Sequence, residues 1–244
     1  MQPDTASFPE TADIETSTDA YAGRFAGPSG AWMLEVQEKT TLTQLAGLGG
    51  PCTVLDVGGG HGQLAHPLVR DGYRVTVVGS HPDCAHRIQT LIDAGTCRFD
   101  VGNVINLPYP DQAFDAVLCF RLVTHCERWP VLIAELCRTA RRSVTIDYPT
   151  STSLNAIAPL LFKAKKKLEK NTRTWTLFTH RQIDEVFATH GFKRIYRDGQ
   201  FFFPMVLHRM LKSRTVSNGL ESATRLVGLN NLLGSPVVAT YIRA

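Results

Sequence analysis

The stretch Val54-Leu55-Asp56-Val57-Gly58-Gly59-Gly60-His61-Gly62-Gln63-Leu64 decides the fold. It opens as a short apolar run with β-branched residues, the composition of a strand buried in a parallel sheet. A carboxylate and a glycine-rich loop follow, and then residues that suit a helix. Gly58, Gly60 and Gly62 permit φ > 0 and let a ligand reach the backbone. Amides at the start of the helix then face that ligand. This reads as a nucleotide-type site on an α/β sheet, and Asp56 narrows the nucleotide. A dinucleotide or nucleoside triphosphate would bring phosphates beside a carboxylate that repels them. A ligand carrying an ammonium or sulfonium would be attracted. Gly60-x-Gly62-x-x-Ala65 does satisfy the looser dinucleotide fingerprint. The second strand, Arg74–Val78, however, ends in Gly79-Ser80 and not in the acid expected there. A nicotinamide-dependent oxidoreductase is therefore the weaker reading. Nothing matches the P-loop pattern.

Outward from this stretch, apolar runs and helical patterns alternate. Strands are expected at 52–57, 74–79, 97–101, 114–120, 143–147, 192–203 and 237–242. Helices are expected at 31–46, 61–71, 82–93, 128–140 and 179–190, the last with Thr179 as N-cap and Gly191 as its stop. The alternation predicts an α/β fold, a doubly wound, mostly parallel seven-stranded sheet. Its ligands belong at the C-terminal strand edge. Residues 1–20, rich in Thr, Ser, Ala, Asp and Glu, read as a disordered tail. Residues 21–50 form an N-terminal helical cap, 51–149 the nucleotide-binding core, 150–178 a lid or insertion after strand 5, and 179–244 the C-terminal part of the sheet. Phe201–Leu207 reads as a buried strand followed by a turn.

The 244 residues are 43% hydrophobic and 20% charged, ordinary for a soluble globular chain. No window approaches the roughly 18 uninterrupted apolar residues of a membrane span, and Met1-Gln2-Pro3-Asp4 does not resemble a secretory signal. The six cysteines, 52, 84, 97, 119, 126 and 137, include no C-x-x-C pair. Reduced thiols in a cytoplasmic protein are the expectation, and no metal is expected. The net charge of +4 hides an asymmetry: residues 1–150 carry 11 basic and 17 acidic side chains, residues 151–244 carry 15 and 5. The basic half points to an anionic neighbour, whether small molecule, membrane surface or nucleic acid.

The spacing Asp56-x-Gly58-x-Gly60-x-Gly62 resembles the first motif of class I S-adenosylmethionine (SAM)-dependent methyltransferases. Gly102-Asn103-Val104-Ile105-Asn106-Leu107-Pro108-Tyr109-Pro110-Asp111-Gln112-Ala113-Phe114-Asp115 is similar to the family's approach to strand 4, and Cys119–His125 to the end of that strand. The resemblance implies SAM as cofactor. It places Asn103 and Val104 beside the adenine, Cys119 and Phe120 beside the methionine end, and the end of strand 2 beside the ribose. The family's usual ribose-gripping acid is Gly79 here, which leaves Ser80 and His81 as substitutes. Restoring the acid by Gly79→Asp is expected to tighten binding if φ is negative there. Tyr21 and Arg24 are expected either to touch the SAM carboxylate or to pack the N-terminal helix on the sheet.

Methyl transfer is an in-line displacement driven by alignment, so a general base is needed only if the acceptor must lose a proton. His125 and Tyr148, with Asp147 beside it, are weak candidates for that role. Leu160-Leu161-Phe162 followed by Lys163–Lys170 suits an anionic membrane contact, an anionic substrate or a solvated helix face. The reading is a SAM-dependent methyltransferase of a small or lipid-like acceptor, with peripheral membrane contact and no transmembrane segment. The alternatives are a nucleic-acid methyltransferase, disfavoured because no (Asp/Asn/Ser)-Pro-Pro-(Tyr/Phe) sequence follows strand 4, and a non-catalytic SAM-binding protein.

Overall fold

A computed structural model describes residues 8–153 and 175–244. Seven strands, β1 Thr53–Val57, β2 Arg74–Gly79, β3 Cys97–Val101, β4 Phe114–Cys119, β5 Ala140–Tyr148, β6 Phe192–Gly199 and β7 Val237–Arg243, form one sheet in the order β3-β2-β1-β4-β5-β7-β6. The first five run parallel, and β7 lies antiparallel between β5 and β6. This is the doubly wound sheet that the alternation implies.

Two short helices, α1 Ala12–Thr16 and α2 Asp19–Ala22, precede the long α3 Gly27–Gly47. Further on come α4 Ala65–Arg70, α5 Gln89–Asp93, α6 Trp129–Thr139 and α7 His180–Thr189. The two-residue period of the strands sorts their side chains into two cores. Leu55 and Val57 join Leu132, Ile133 and Leu136 of α6 and Phe187 of α7. Val54 faces the other way, toward Leu45, Ala65 and Leu68. In α6, Pro130 occupies the first turn, where a missing amide costs nothing. Thr179 caps α7 in a reciprocal box with Gln182. Asp56 pairs with Val77 and Leu118, so its carboxylate stands at the C-terminal end of the three central strands. The strand order reverses between β1 and β4, the place where sheets of this kind receive ligands.

Three expectations need correction. Residues 8–20 are not a disordered tail: they carry α1 and α2, and Glu10 and Asp13 are buried. Their acids act as caps. Glu10 accepts from the amides of Glu127 at 3.3 Å and Arg128 at 3.0 Å, and Asp19 pairs with His86 and Arg87. The expected helix 61–71 is shortened, because Gly62 at φ 78° interrupts a 3-10 turn at Gly59–His61 before α4 begins. Phe201–Leu207 is not a strand. Pro204 ends the extended chain, and α8 Met205–Leu211, α9 Arg214–Leu226 and α10 Leu229–Leu233 follow. The middle of the 150–178 insertion, with Leu160–Phe162 and Lys163–Lys170, lies outside the described residues; Thr150 and Phe178 bridge its ends.

The helices after Pro204 are held by one buried carboxylate. Glu221 accepts from the amides of Phe202 at 2.8 Å and Phe203 at 3.0 Å, and from His208 Nε2 and Asn230 Nδ2, each at 2.8 Å. Burial raises the pKa of Glu221, but the four donors outweigh it and the net shift is downward. A lowered folded-state pKa gives stability that is complete above the unfolded value and lost as pH falls through the folded one. Glu221→Ala should cost about 3 kcal/mol in denaturant unfolding, because several buried donors lose their acceptor. It should also flatten the acid limb of the stability–pH curve; an unchanged limb would contradict this assignment.

Candidate functional site: the cleft over the glycine loop

The C-terminal end of β1 carries a buried carboxylate with an unsatisfied oxygen. Asp56 is 2% exposed, and among the described residues its Oδ1 has no hydrogen-bond partner. Burial pushes its pKa up to about 7, with the Arg121 guanidinium pulling the other way. The loop beyond is shaped around this carboxylate. Gly58 and Gly62 take φ of 73° and 78°, and a side chain on Gly59 would overlap the Asp56 carboxyl itself. Gly60 is bounded by the Cys84 carbonyl and the Ser17 hydroxyl. The glycines at 58, 60 and 62 thus meet at one loop. Gly59, which spacing alone did not single out, is as constrained as they are.

His61 lies in the same loop. It is 8% exposed, and among the described residues neither ring nitrogen has a partner. Burial, with Arg121 and Arg87 adding to it, lowers its pKa to about 3. Its ring is therefore neutral at ordinary pH. The rings of Tyr21 and Phe25 meet it edge-on at 5.9 and 5.8 Å. Tyr21 thus reaches the glycine loop. Arg24 turns away, over the Tyr21 ring at 4.8 Å and toward Glu15 at 3.5 Å.

An acid from another part of the chain stands beside the end of β2. Asp13, fully buried, accepts from Ser80 N at 2.6 Å and from Ser80 Oγ at 2.5 Å. His81, beyond it, accepts from Asp83 N at 3.2 Å and is largely open to solvent. Gly79 has no room for an acid of its own. Its φ is not positive, yet a Cβ would stand 2.7 Å from Cys84 Cβ and 3.2 Å from the Phe99 ring. The expectation that Gly79→Asp tightens binding is therefore overturned on packing grounds.

At the end of β4, Cys119 and Phe120 are buried. Arg121, which the sequence reading passed over, adopts φ 60°. Its amide donates to Asp147 Oδ1 at 2.6 Å, and its guanidinium to Gln37 Oε1 at 3.0 Å and to Gln63. Gln37 also donates to Asp147 Oδ2 at 3.0 Å. Asp147 is therefore a positioning group for Arg121. Asn103 accepts from Ile105 N at 3.2 Å, and Val104 is fully buried. His125 meets Trp175 edge-on at 5.2 Å. Tyr148 leaves the candidate bases: it is fully buried in the core on the α7 side, bonded to His180 at 3.0 Å, and burial raises its pKa. Among the described residues no cluster of His, Cys, Asp and Glu is placed to hold a metal.

The cleft is narrow. Between Thr16, Asp56, Gly58, His61, Phe120 and Arg121 the cavity measures about 20 Å³, roughly the room of one water. The segment carrying α1 and α2 lies against the glycine loop, with Ser17 beside Gly60 and the Tyr21 ring against His61.

Residues 55–146 match the family model described as a methyltransferase domain. With this sheet order and loop, the core of the chain has the fold of a class I methyltransferase domain. Two curated relatives align with part of it. Ajmaline N-methyltransferase of Rauvolfia serpentina is 27% identical over 51% of this chain and 47% of its own. Demethylmenaquinone methyltransferase of Deinococcus radiodurans is 32% identical over 42% of this chain and 46% of its own. The chain thus spans about half the length of these relatives. The crystal structure of magnesium protoporphyrin IX methyltransferase from Synechocystis PCC 6803 with bound S-adenosylhomocysteine superposes with a TM-score of 0.65. It is 14% identical and covers 93% of this chain and 94% of that one, a likeness of fold.

The packing around Gly79 is open to direct test. Gly79→Ala and Gly79→Asp should each lower stability by about 1–3 kcal/mol, the usual cost of overpacking, with Asp the worse of the two. Thermal melts monitored by circular dichroism read this. A Gly79→Asp protein that melts like the wild type would show that the loop yields freely.

Proposed function

We propose that the protein is a SAM-dependent methyltransferase of a small-molecule acceptor. The observation that carries this reading is Asp56: a buried carboxylate with an oxygen unpaired among the described residues, at the switch point of the sheet, beside a loop whose glycines leave no room for side chains at 59 and 60. Such a group repels phosphate and attracts an amino-acid ammonium or a sulfonium. SAM carries both cations and no phosphate. The names of the two curated relatives, which specify an alkaloid and a quinone precursor as acceptors, support a small acceptor.

The donor set of the cleft suits that cofactor. Asp56 would face the ammonium and Arg121 the carboxylate of the methionine end. The backbone at Cys119–Phe120 would border the same end, with Asn103 and Val104 at the adenine. Asp13 and Ser80 would meet the ribose. Tyr21 and Phe25, stacked edge-on over His61, would keep water from the cationic centre. When bound, SAM supplies a methyl group that passes to a lone pair of the acceptor while the C–S electrons return to sulfur. The chain's own task is alignment. His61 is too firmly neutral to take up a proton there, so an acceptor that arrives with a free lone pair fits this cleft better than one needing a strong base. A ligand of this size needs hundreds of Å³, so α1 and α2 must shift outward as it enters.

Two finer statements belong to the same reading. Among the described residues no helix is long and apolar enough to cross a membrane, which fits a cytoplasmic protein. The lipid-like acceptor and the peripheral membrane contact rest on Lys163–Lys170, outside the described residues, and so on sequence alone.

The reading makes a proton-linkage prediction. With a pKa of about 7, Asp56 is roughly half protonated at pH 7. A cation arriving beside it should expel that proton. Calorimetric titration with S-adenosylhomocysteine at pH 7, in buffers of different ionisation enthalpy, should show release of about half a proton. Asp56→Asn should abolish the release and weaken binding by about tenfold or more, the loss of one charge-assisted contact. Equal proton release from both proteins would remove Asp56 from this role.

A further inference from the structure

A second and much larger cavity lies on the far side of the Tyr21–Phe25 pair. It measures about 380 Å³ and is lined by residues of the Gly23–Ser29 turn together with Arg209 and Lys212. Three independent features give it one chemical character.

The first is a helix end. Gly27, Pro28 and Ser29, the opening residues of the 21-residue α3, line the cavity. This end has no side-chain cap and no acidic residue in its first turn. The positive end of the helix dipole is therefore uncompensated by the chain.

The second is Ser29 itself. It is 3% exposed, and among the described residues its hydroxyl has no hydrogen-bond partner. Buried hydroxyls are almost always bonded, so a polar group seated beside it would satisfy an existing vacancy in the hydrogen-bond network.

The third is a concentration of cations. Arg24, Arg209 and Lys212 reach the cavity from two elements. The charged groups that act on Arg209 are Arg24, which repels it, and Tyr21. Among the described residues the hydrogen bond of the Arg209 side chain is a long one, to the Met205 carbonyl at 3.4 Å. Arg24 shares the exposed Glu15 at 3.5 Å. Lys212 ends α8 with φ 50°, a conformation uncommon for a lysine, which places it at this rim. Two guanidiniums and an ammonium around an uncapped helix start repel one another until an anion joins them.

We propose that this cavity binds an oxyanion, a phosphate or carboxylate group, recognised by Arg24, Arg209, Lys212 and the first turn of α3. Its place next to the Tyr21–Phe25–His61 stack makes it the anchor for an anionic tail on the methyl acceptor, a step that rests on the methyltransferase reading; the oxyanion site itself does not. A soluble metabolite or a lipid headgroup could carry the group.

The test uses the full chain and inorganic phosphate. Phosphate should raise the melting temperature and bind by calorimetry, where chloride at equal ionic strength does neither. Arg209→Gln with Lys212→Gln should weaken phosphate binding by about tenfold or more, while the melting temperature without phosphate stays unchanged, since both side chains lie at the surface. Ser29→Ala should weaken it by a smaller factor. A wild-type response to phosphate no greater than to chloride, or an equal response from the double variant, overturns the site. Sedimentation with phosphatidic acid vesicles against phosphatidylcholine vesicles then assigns the source. Retention that the double variant loses means a lipid headgroup, and no retention means a soluble anion. S-adenosylhomocysteine titrated into the same samples reports on the cleft separately. Phosphate binding without S-adenosylhomocysteine binding would sink the cofactor reading alone, and the reverse would sink the oxyanion site alone.

Discussion

A carboxylate taken out of water with one oxygen unpaired is an unfavourable thing to build, and the centre of this molecule is arranged around one. Asp56, next to last in β1, is 2% exposed and holds its proton up to about pH 7. Gly59 has no side chain because the carboxyl lies where one would be. Arg121 is bent to φ 60° and bonded to Gln37 and Gln63, which keeps a guanidinium close enough to matter electrostatically without a direct ion pair. A purely structural carboxylate would be expected to take up its donors in full. One that keeps an acceptor free at the switch point of a doubly wound sheet is set for a ligand that brings positive charge.

The N-terminal segment supplies much of what the cleft needs and also closes it. Three acids tie it down: Glu10 at the start of α6, Asp13 at the end of β2, and Asp19 against His86 and Arg87. Asp13 restores an acid to the end of β2, where Gly79 could not carry one without striking Cys84. The two facts belong together. The loop after β2 packs tightly on Gly79, and the acid arrives from across the cleft.

The sheet and the glycine loop were legible because both are local. A short apolar run with β-branched residues marks a buried strand wherever it lies, and Asp56–Gly62 states its own turn. The cleft's other half was not legible. Asp13 and Ser80 are 67 positions apart, and a tail of Thr, Ser, Asp and Glu reads as solvated until its caps are located. Arg121 stood in plain view beside Phe120, but nothing in its neighbours signals a left-handed arginine. Phe201–Leu207 misled because three phenylalanines in a row carry no period, and Pro204 proved the better guide. Tyr148 was placed by position along β5, and the alternation of faces sent its ring into the core, leaving Asp147 toward the cleft.

The account stands on the preference of this cleft for a cation without phosphate. The most direct measurement is the thermal shift of the purified protein with S-adenosylhomocysteine and, separately, with NAD. At about 100 times the dissociation constant a ligand of the native state adds about 2.7 kcal/mol. For a chain of this size that is a rise on the order of 5 °C. The account predicts that rise with S-adenosylhomocysteine, its loss in Asp56→Ala, and no rise with NAD. A rise with NAD alone would contradict it.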